Sequence, residues 1–302
     1  MKTFALDKLR TGNEKEQIAV LGELDRNGFF WAPNESLDQY IERVESAQQM
    51  LEELTSDPEL RVQLDGAKEI PTELKDAANK LLEEEYHFRM DWLPAWYSSK
   101  QTGRLSAGIQ LAVDGALSMI FLNCGFEGRQ HYRGYDAKET LAHELVHAAR
   151  IAFSHSAYDE YFPCQTSSSG FRRFVGNFFR CWEIPTLFFG SLLIAACLGV
   201  LYIQFWPLFL LPPIAILLRE LLLRYRIRAA EKYLWNAGIH PNAILRLDDA
   251  EIKMLANASA DDLVVCRFIE KSLRWKMLGM RFGIKTLPTA SLMSCARRDR
   301  AG

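Results

Sequence analysis

Apolar residues recur at helical spacing in two stretches of the first hundred residues. The segment LDQYIERVESAQQMLEEL, residues 37–54, keeps apolar positions three and four apart. The segment PTELKDAANKLLEEEY, residues 71–86, has the same spacing and begins at Pro71 or Thr72, where proline suits a first helical turn. The pattern therefore predicts a helical, solvated region over residues 1–100.

The pattern changes to that of strands in residues 108–122, GIQLAVDGALSMIFL. Asp114 and Gly115 separate two apolar runs, and this dipeptide favours the two-residue turn of a β-hairpin. We expect a strand at residues 116–122, immediately before the next helix. The hairpin predicts a small antiparallel sheet in this part of the chain.

Residues 139–153, ETLAHELVHAARIAF, return to helical spacing. Asp136 followed by Glu139 forms a capping-box pattern, in which two side chains satisfy free backbone N–H groups of the first turn. One helix is therefore predicted from this cap to about Phe153.

The longest uncharged stretch is residues 184–218, IPTLFFGSLLIAACLGVLYIQFWPLFLLPPIAILL. It is longer than the roughly 20 residues that one bilayer crossing needs, so we expect two helices. The first is predicted near residues 184–203 and the second near 208–223. Residues 204–207 would form the turn between them.

Basic residues flank this stretch on both sides. They are Arg172, Arg173 and Arg180 before it, and Arg219, Arg224, Arg226, Arg228 and Lys232 after it. By the positive-inside tendency both ends belong on the cytoplasmic side, which a helical hairpin satisfies and a single span does not. We therefore expect a membrane hairpin with both termini cytoplasmic. The alternatives are a re-entrant or interfacial hairpin and a buried helix pair in a large soluble core.

Beyond the apolar stretch, Asp248 with Glu251 repeats the capping-box pattern, and a long helix is predicted from Asp261 onward. The elements together predict an α+β fold that is mostly helical. It would combine a small antiparallel sheet beside the helix of residues 139–153 with a transmembrane helical hairpin.

Charge is unevenly distributed, although the net charge is −2. Residues 1–100 carry 12 Lys/Arg and 21 Asp/Glu, whereas residues 161–302 carry 19 and 10. Because the positive residues concentrate beside the apolar stretch, anionic lipid accounts for them, and no nucleic-acid partner is expected. The six cysteines form no C-x-x-C pair, which argues against a zinc ribbon or a disulfide framework.

The helix predicted over residues 139–153 carries two histidines with the spacing of a metal site. His143 and His147 are four residues apart, so their imidazoles lie one turn apart on one face and can bind one Zn²⁺ ion. Glu144 stands beside the first histidine, where its carboxylate can take a proton from an attacking water. H-E-x-x-H is the motif of zinc metallopeptidases, and the competing interpretation is two histidines on an ordinary helix without metal.

The stretch AHELVHAAR, with ALSMIFLN upstream, resembles the core of the zincin superfamily of metallopeptidases, over about residues 105–165. The resemblance implies that the strand beside the motif helix holds a polypeptide substrate as an additional strand, with Ser118 and Ile120 as candidate contacts. The metzincin extension needs a glycine and a histidine where this chain has Arg150 and Phe153. A gluzincin-like arrangement, with a downstream carboxylate as third ligand, is therefore expected.

Candidate third ligands lie downstream of the motif, in the segment HSAYDEYFPC. Glu160 is the first candidate, Asp159 the second and His155 the third. The same region supplies candidate donors for stabilising a developing oxyanion, because a tyrosine or histidine suits that role. They are Tyr158, Tyr161 and His155, with Tyr132 and Tyr135 also near in the sequence.

These residues together predict a membrane-anchored, zinc-dependent metallopeptidase. Its partners would be the lipid bilayer and a polypeptide substrate that is itself membrane-associated or close to the membrane surface. The alternative is a non-enzymatic membrane scaffold in which the motif is accidental or degenerate. The predicted regions are an acidic helical region (1–100), a zincin-like catalytic region (101–182), the transmembrane or re-entrant hairpin (183–226) and a C-terminal helical segment packing on the catalytic region (227–302).

Overall fold

The computed structural model describes residues 4–56, 66–103, 106–153, 156–179, 183–201, 204–259 and 264–283. The helices are α1 (Asp7–Thr11), α2 (Glu14–Arg26), α3 (Leu37–Ser56), α4 (Thr72–Tyr86), α5 (Ser99–Thr102), α6 (Ala137–Ala149), α7 (Tyr161–Cys164), α8 (Gly170–Val175), α9 (Glu183–Val200), α10 (Leu211–Asn236), α11 (Asp249–Asn257), α12 (Val264–Lys271) and α13 (Leu273–Phe282). The strands are β1 (Lys68–Glu69), β2 (Ala95–Tyr97), β3 (Gly108–Val113), β4 (Leu117–Leu122), β5 (His131–Tyr132) and β6 (Tyr135–Asp136). Short 3₁₀ segments lie at Cys124–Phe126, Gly176–Phe179, Trp206–Leu210 and Pro241–Arg246. The fold is α+β and mostly helical, as predicted.

Several predicted helices are confirmed, and two have different ends. α3 and α4 match the two helices expected in the first hundred residues, and Asp248 forms its capping box at α11. The motif helix α6 stops at Ala149 and does not reach Phe153. The long helix expected from Asp261 is two helices, because the backbone of Ser272 is extended between α12 and α13. Residues 261–263 lie outside the described residues.

Strands β1 to β4 form one sheet in the order β1-β2-β4-β3. The pairs β1–β2 and β3–β4 are antiparallel, whereas β2 and β4 are parallel. The sheet is therefore mixed, and the expectation of a purely antiparallel sheet was wrong. The predicted turn is confirmed, since Asp114 and Gly115 have φ values of 47° and 68°, the left-handed values of a type I′ hairpin turn.

The motif helix α6 contacts β3, β4 and α4. Its side chains Leu141, Leu145 and Val146 are at most 2% exposed, and Ile120 and Leu122 of β4 belong to the same core. Burying apolar surface contributes roughly 25 cal/mol per Å², so these contacts hold the helix firmly against the sheet. The polar groups that α6 carries are fixed by the same packing.

Residues on either side of the apolar stretch share one hydrophobic core. Arg246, which is 1% exposed, donates to the carboxylate of Asp25 and to the backbone carbonyl of Tyr86. Arg274, which is 4% exposed, donates to the backbone carbonyl of Trp31 and to both carboxylate oxygens of Glu251. These buried contacts join the segment after the apolar stretch to the region before it.

The apolar stretch forms α9 and the first half of α10, joined through the 3₁₀ segment Trp206–Leu210. Two helical segments, Glu183–Val200 and Trp206–Asn236, are long and apolar enough to cross a membrane, and only 11% of each apolar window is buried. Such exposure disfavours the alternative of a helix pair buried in a soluble core, whose apolar side chains would be covered by protein.

The second apolar helix is longer than the predicted 208–223, because α10 runs to Asn236. Pro212 and Pro213 lie in its first turn, where the missing proline N–H leaves no helical bond unmade. Its last turns bury Ile227 and Leu234 in the protein core. Charged residues lie between these apolar positions, so their helical spacing was not recognised in the sequence.

Candidate metal centre

Helix α6 brings the two motif histidines together. The Nε2 atoms of His143 and His147 are 3.2 Å apart, because residues four apart lie one turn apart on the same helix face. Asp136 caps the helix by accepting a hydrogen bond from the backbone N–H of Glu139. The reciprocal half of the expected capping box is replaced, since the Glu139 carboxylate accepts from Ser167 and Ser168 instead.

Glu160 completes a group of three ligand-type side chains. One of its carboxylate oxygens lies 3.2 Å from Nε2 of His143, and the other lies 3.3 Å from Nε2 of His147. All three donor atoms lie within 4.8 Å of one another. Within the described part of the chain this is the one such cluster, so Glu160 occupies the place expected of the third ligand. Asp159 is not a member, and His155 lies outside the described residues.

The chemistry of this donor set suits zinc. Two imidazoles and one carboxylate are a ligand set of catalytic zinc sites, which leave a fourth position for water or substrate. The three side chains are 23–25% exposed, so the cluster is open toward a cavity on one side. The residues present therefore fit a Zn²⁺ ion with an accessible coordination position.

The electrostatics of Glu160 and His147 favour the charged form of each side chain. Burial favours the neutral acid of Glu160, but hydrogen bonds with both histidines outweigh it and hold the pKa of that carboxyl far below its ordinary value. Burial would lower the pKa of His147, yet the adjacent Glu160 carboxylate outweighs it and raises that pKa. Glu160 is therefore the permanent anion of the site.

Glu144 lies beside this cluster but has a different environment. Its carboxyl is 7% exposed, and burial raises its pKa above the ordinary value, against the opposing effect of His143 and His147. One carboxylate oxygen would lie 2.8 Å from a Cβ placed on Gly108, the first residue of β3. The absence of a side chain at Gly108 is what lets the carboxyl approach the strand.

A cavity of about 850 Å³ contains all four motif-linked residues, His143, Glu144, His147 and Glu160. One side is formed by the start of β3 and the residues before it, from Ser106 to Gln110. The opposite side comes from α8 and the residues around it. The remaining lining residues are Tyr135, Glu139, Thr140, Cys164, Thr166, Ser167, Phe171, Arg172, Val175 and Gly176.

The proposed substrate strand needs correction. Ser118 and Ile120 lie on β4, which pairs with β2 along one edge and β3 along the other. Both side chains are buried, at 3% and 0% exposed. In the described sheet β3 is the edge strand next to the cavity, so the role of an additional-strand partner falls to β3 and not to β4.

The predicted oxyanion donors also lie elsewhere. Tyr158 is 2% exposed and packs against the rings of Tyr161 and Phe162, and the described cavity lining includes neither tyrosine. The tyrosine that does line the cavity is Tyr135, whose ring centre lies 3.9 Å from the Arg172 guanidinium carbon. Among the candidate donors within the described residues, Tyr135 is therefore the one that lines the cavity, and His155 lies outside those residues.

Sequence reasoning missed the cavity walls contributed by Ser106, Gly108 and Arg172. Arg172 donates to the backbone carbonyl of Gly134 and so closes one end of the cavity between α8 and the β5–β6 hairpin. Glycine before an apolar strand was the one local signal for a close approach. The position of Arg172 depends on tertiary packing and has no signal in the sequence pattern.

Comparison with protein-family models, curated proteins and solved structures found no match. The resemblance to zincins therefore rests on the motif in this chain. The zincin resemblance stays a prediction. The geometry of the His143–His147–Glu160 cluster is a separate observation that does not depend on it.

Proposed function

We propose that the protein is a membrane-anchored, zinc-dependent metallopeptidase. The observation that carries the proposal is the His143–His147–Glu160 cluster with Glu144 beside it, in a cavity bordered by an edge strand. A metal site, a buried carboxyl and a strand edge at one place are the parts that hydrolysis of an extended polypeptide requires.

Each residue has a defined role in this proposal. His143, His147 and Glu160 would hold a Zn²⁺ ion, which when bound would supply Lewis-acid chemistry for polarising the scissile carbonyl and activating water. Glu144 accepts the proton of the attacking water and then delivers it to the leaving amine.

The edge strand β3 would orient the substrate. A polypeptide that pairs with β3 receives main-chain hydrogen bonds without regard to its side chains, and its scissile bond then lies beside Glu144 and the cluster. The residues from Ser106 to Gln110 line this part of the cavity.

Membrane anchoring is the second part of the proposal. The two apolar helices are long enough to span a bilayer, and basic residues flank both. Arg150, before the hairpin, donates to the carbonyl of Leu247, after it, at 3.4 Å. Two segments in contact must lie on one side of the membrane, which supports a hairpin. The basic residues that flank the apolar stretch favour the cytoplasmic side for these segments.

Zinc stoichiometry of the detergent-purified full chain tests the site. We expect about one zinc per chain, lost in His147→Ala. The matched control is His131→Ala, which removes an exposed histidine outside the described cavity lining. A folded, metal-offered protein that holds no zinc would exclude the peptidase and favour the membrane scaffold.

Hydrolysis of an unstructured casein chain tests the chemistry. Glu144→Gln should keep its zinc and lose hydrolysis by a factor of at least about 100, because the general base is gone while the ligands remain. Undiminished hydrolysis by this variant would assign the activity to another group or to a contaminant.

A further inference from the structure

Helix α8, which borders the cavity, carries an exposed surface of aromatic and basic side chains. Phe171 and Phe174 are 73% and 58% exposed, and Arg173 is exposed beside them. The same short segment lines the cavity through Phe171, Arg172, Val175 and Gly176, so Phe171 is both exposed and at the edge of the cavity. The segment that borders the cavity therefore carries exposed aromatic and basic side chains.

This segment contacts α10 near the end of the apolar stretch. Arg224 of α10 donates to the carbonyl of Arg173, and its guanidinium lies 4.5 Å from the Phe174 ring centre. Asn177 donates to the Glu220 carboxylate at 2.8 Å. Glu220 lies two residues after the end of the apolar stretch, so the segment that carries Asn177 lies beside the point where α10 leaves that stretch.

The metal cluster lies close to the same point. Tyr161, the residue after Glu160, has its ring centre 5.7 Å from the Arg224 guanidinium carbon. Gly176 of the cavity wall packs so closely on Cys164 that a Cβ there would overlap its sulfur. The cavity, α8 and the charged end of the apolar helices therefore form one contiguous unit.

We propose that α8 lies in the headgroup layer of an anionic bilayer and forms the membrane-facing wall of the cavity, so that the substrates are polypeptides tethered to that same membrane. This inference rests on the proposed peptidase function and specifies its substrate class. Exposed phenylalanines continuous with membrane-length helices suit the apolar side of the interface, and arginines beside them suit anionic headgroups.

The geometry explains why tethering would matter. A helix is about 10 Å across, which an extended chain covers in about three residues. A polypeptide anchored in the bilayer can therefore enter the cavity a few residues after it leaves the membrane. Tethering also raises its local concentration to the millimolar range for short flexible linkers, without any new contact.

The experiment uses the full-length protein in vesicles of phosphatidylethanolamine and phosphatidylglycerol. The probe is an unstructured casein chain, either free in solution or coupled at one end to a phospholipid. We expect tethered casein to be cut at least about 10-fold faster than free casein at equal bulk concentration. The double variant Arg173→Ser/Phe174→Ser should lose most of that preference and keep its rate on free casein, because neither residue is among the described cavity-lining residues.

The matched control removes another exposed basic–aromatic pair, Lys232→Ser/Trp235→Ser, at the far end of α10. It should leave the preference intact. Equal rates on the two caseins would overturn the tethered-substrate inference and leave the peptidase standing. Absence of any cleavage by a zinc-loaded wild-type protein would instead remove the proposed function itself.

A second measurement does not depend on activity. Photoactivatable benzoylphenylalanine replaces Phe174 in one sample and Trp235 in another, and lipid adducts are detected by mass after illumination. Adducts at position 174 but not at 235 support the interfacial position of α8. Absence of adducts at 174 overturns it, whatever the hydrolysis results.

Discussion

The close approach of Glu144 to β3 gives a quantitative prediction for Gly108→Ala. A Cβ at this position would lie 2.8 Å from a Glu144 carboxylate oxygen and 3.1 Å from a terminal methyl of Leu122. The first distance is about 0.6 Å short of the 3.4 Å at which ordinary van der Waals contact begins. The carboxylate must therefore move, because the strand backbone is held by its pairing with β4.

The expected loss follows from the size of that displacement. A misplacement of about 1 Å in a catalytic group costs about 100-fold in rate, so a shift of this size predicts a fall in kcat of about 10- to 100-fold. Zinc content should change little, because the atoms nearest to a Cβ on Gly108 belong to Glu144 and Leu122 and not to a proposed ligand. Overpacking of about 1–3 kcal/mol is partly offset by the roughly 0.5–1 kcal/mol gained when glycine leaves a strand, so the free energy of unfolding should fall by about 0–2.5 kcal/mol.

The assay compares kcat and KM on casein with zinc content and melting temperature for the same preparation. Gly22→Ala is the matched control, because a Cβ on that residue of α2 meets nothing within 4 Å. It should leave kcat unchanged and stabilise the protein by up to about 1 kcal/mol. If zinc-loaded Gly108→Ala retains the wild-type kcat, the position of Glu144 against the strand is not what sets its activity, and the reasoning fails.

Three further predictions concern the metal and the core. Glu160→Gln should weaken zinc binding by more than the roughly 10- to 100-fold that loss of a group outside the ligand set costs. Asp159→Asn should not weaken it by that much. If metal titration shows an equal loss in both variants, Glu160 is rejected as the ligand. Chelation of zinc should lower the melting temperature while the protein stays folded, because zinc at 100-fold its Kd stabilises the folded protein by about 2.7 kcal/mol. If the melting temperature of His147→Ala still depends on zinc, the ion binds elsewhere. Asp25→Asn leaves the buried Arg246 without its carboxylate partner and should lower the free energy of unfolding by about 3–5 kcal/mol. A change below about 1 kcal/mol would show that the other contacts of Arg246 are enough to stabilise its buried charge.

The features predicted correctly depend on short-range patterns. Helical spacing places His143 and His147 on one face whatever the rest of the fold, and the left-handed preference of Asp114 and Gly115 determines the turn locally. Glu160 was accessible to the same reasoning, because few carboxylates lie close enough downstream of the motif to return to it.

The features that sequence reasoning missed depend on long-range pairing. Ser118 and Ile120 were assigned to substrate binding because β4 precedes the motif helix, but strand order in a sheet is not encoded in apolar periodicity. The three-residue β2 covers that edge of β4, and a strand of that length shows no recognisable alternation. Arg172 likewise reaches the cavity only because α8 folds back beside the β5–β6 hairpin.

The third ligand depends on residues that follow the apolar hairpin. The Asp249 carboxylate accepts hydrogen bonds from the Ser156 hydroxyl at 2.6 Å and from the Ala157 backbone N–H at 2.7 Å, only a few residues before Glu160. Arg150, buried one turn past His147, donates to Ser156 from the other side. The loop carrying Glu160 is thus held between α6 and the segment after the hairpin. Because that segment follows both apolar helices in the chain, the position of the loop that carries the proposed third ligand depends on the hairpin, which brings the two segments together.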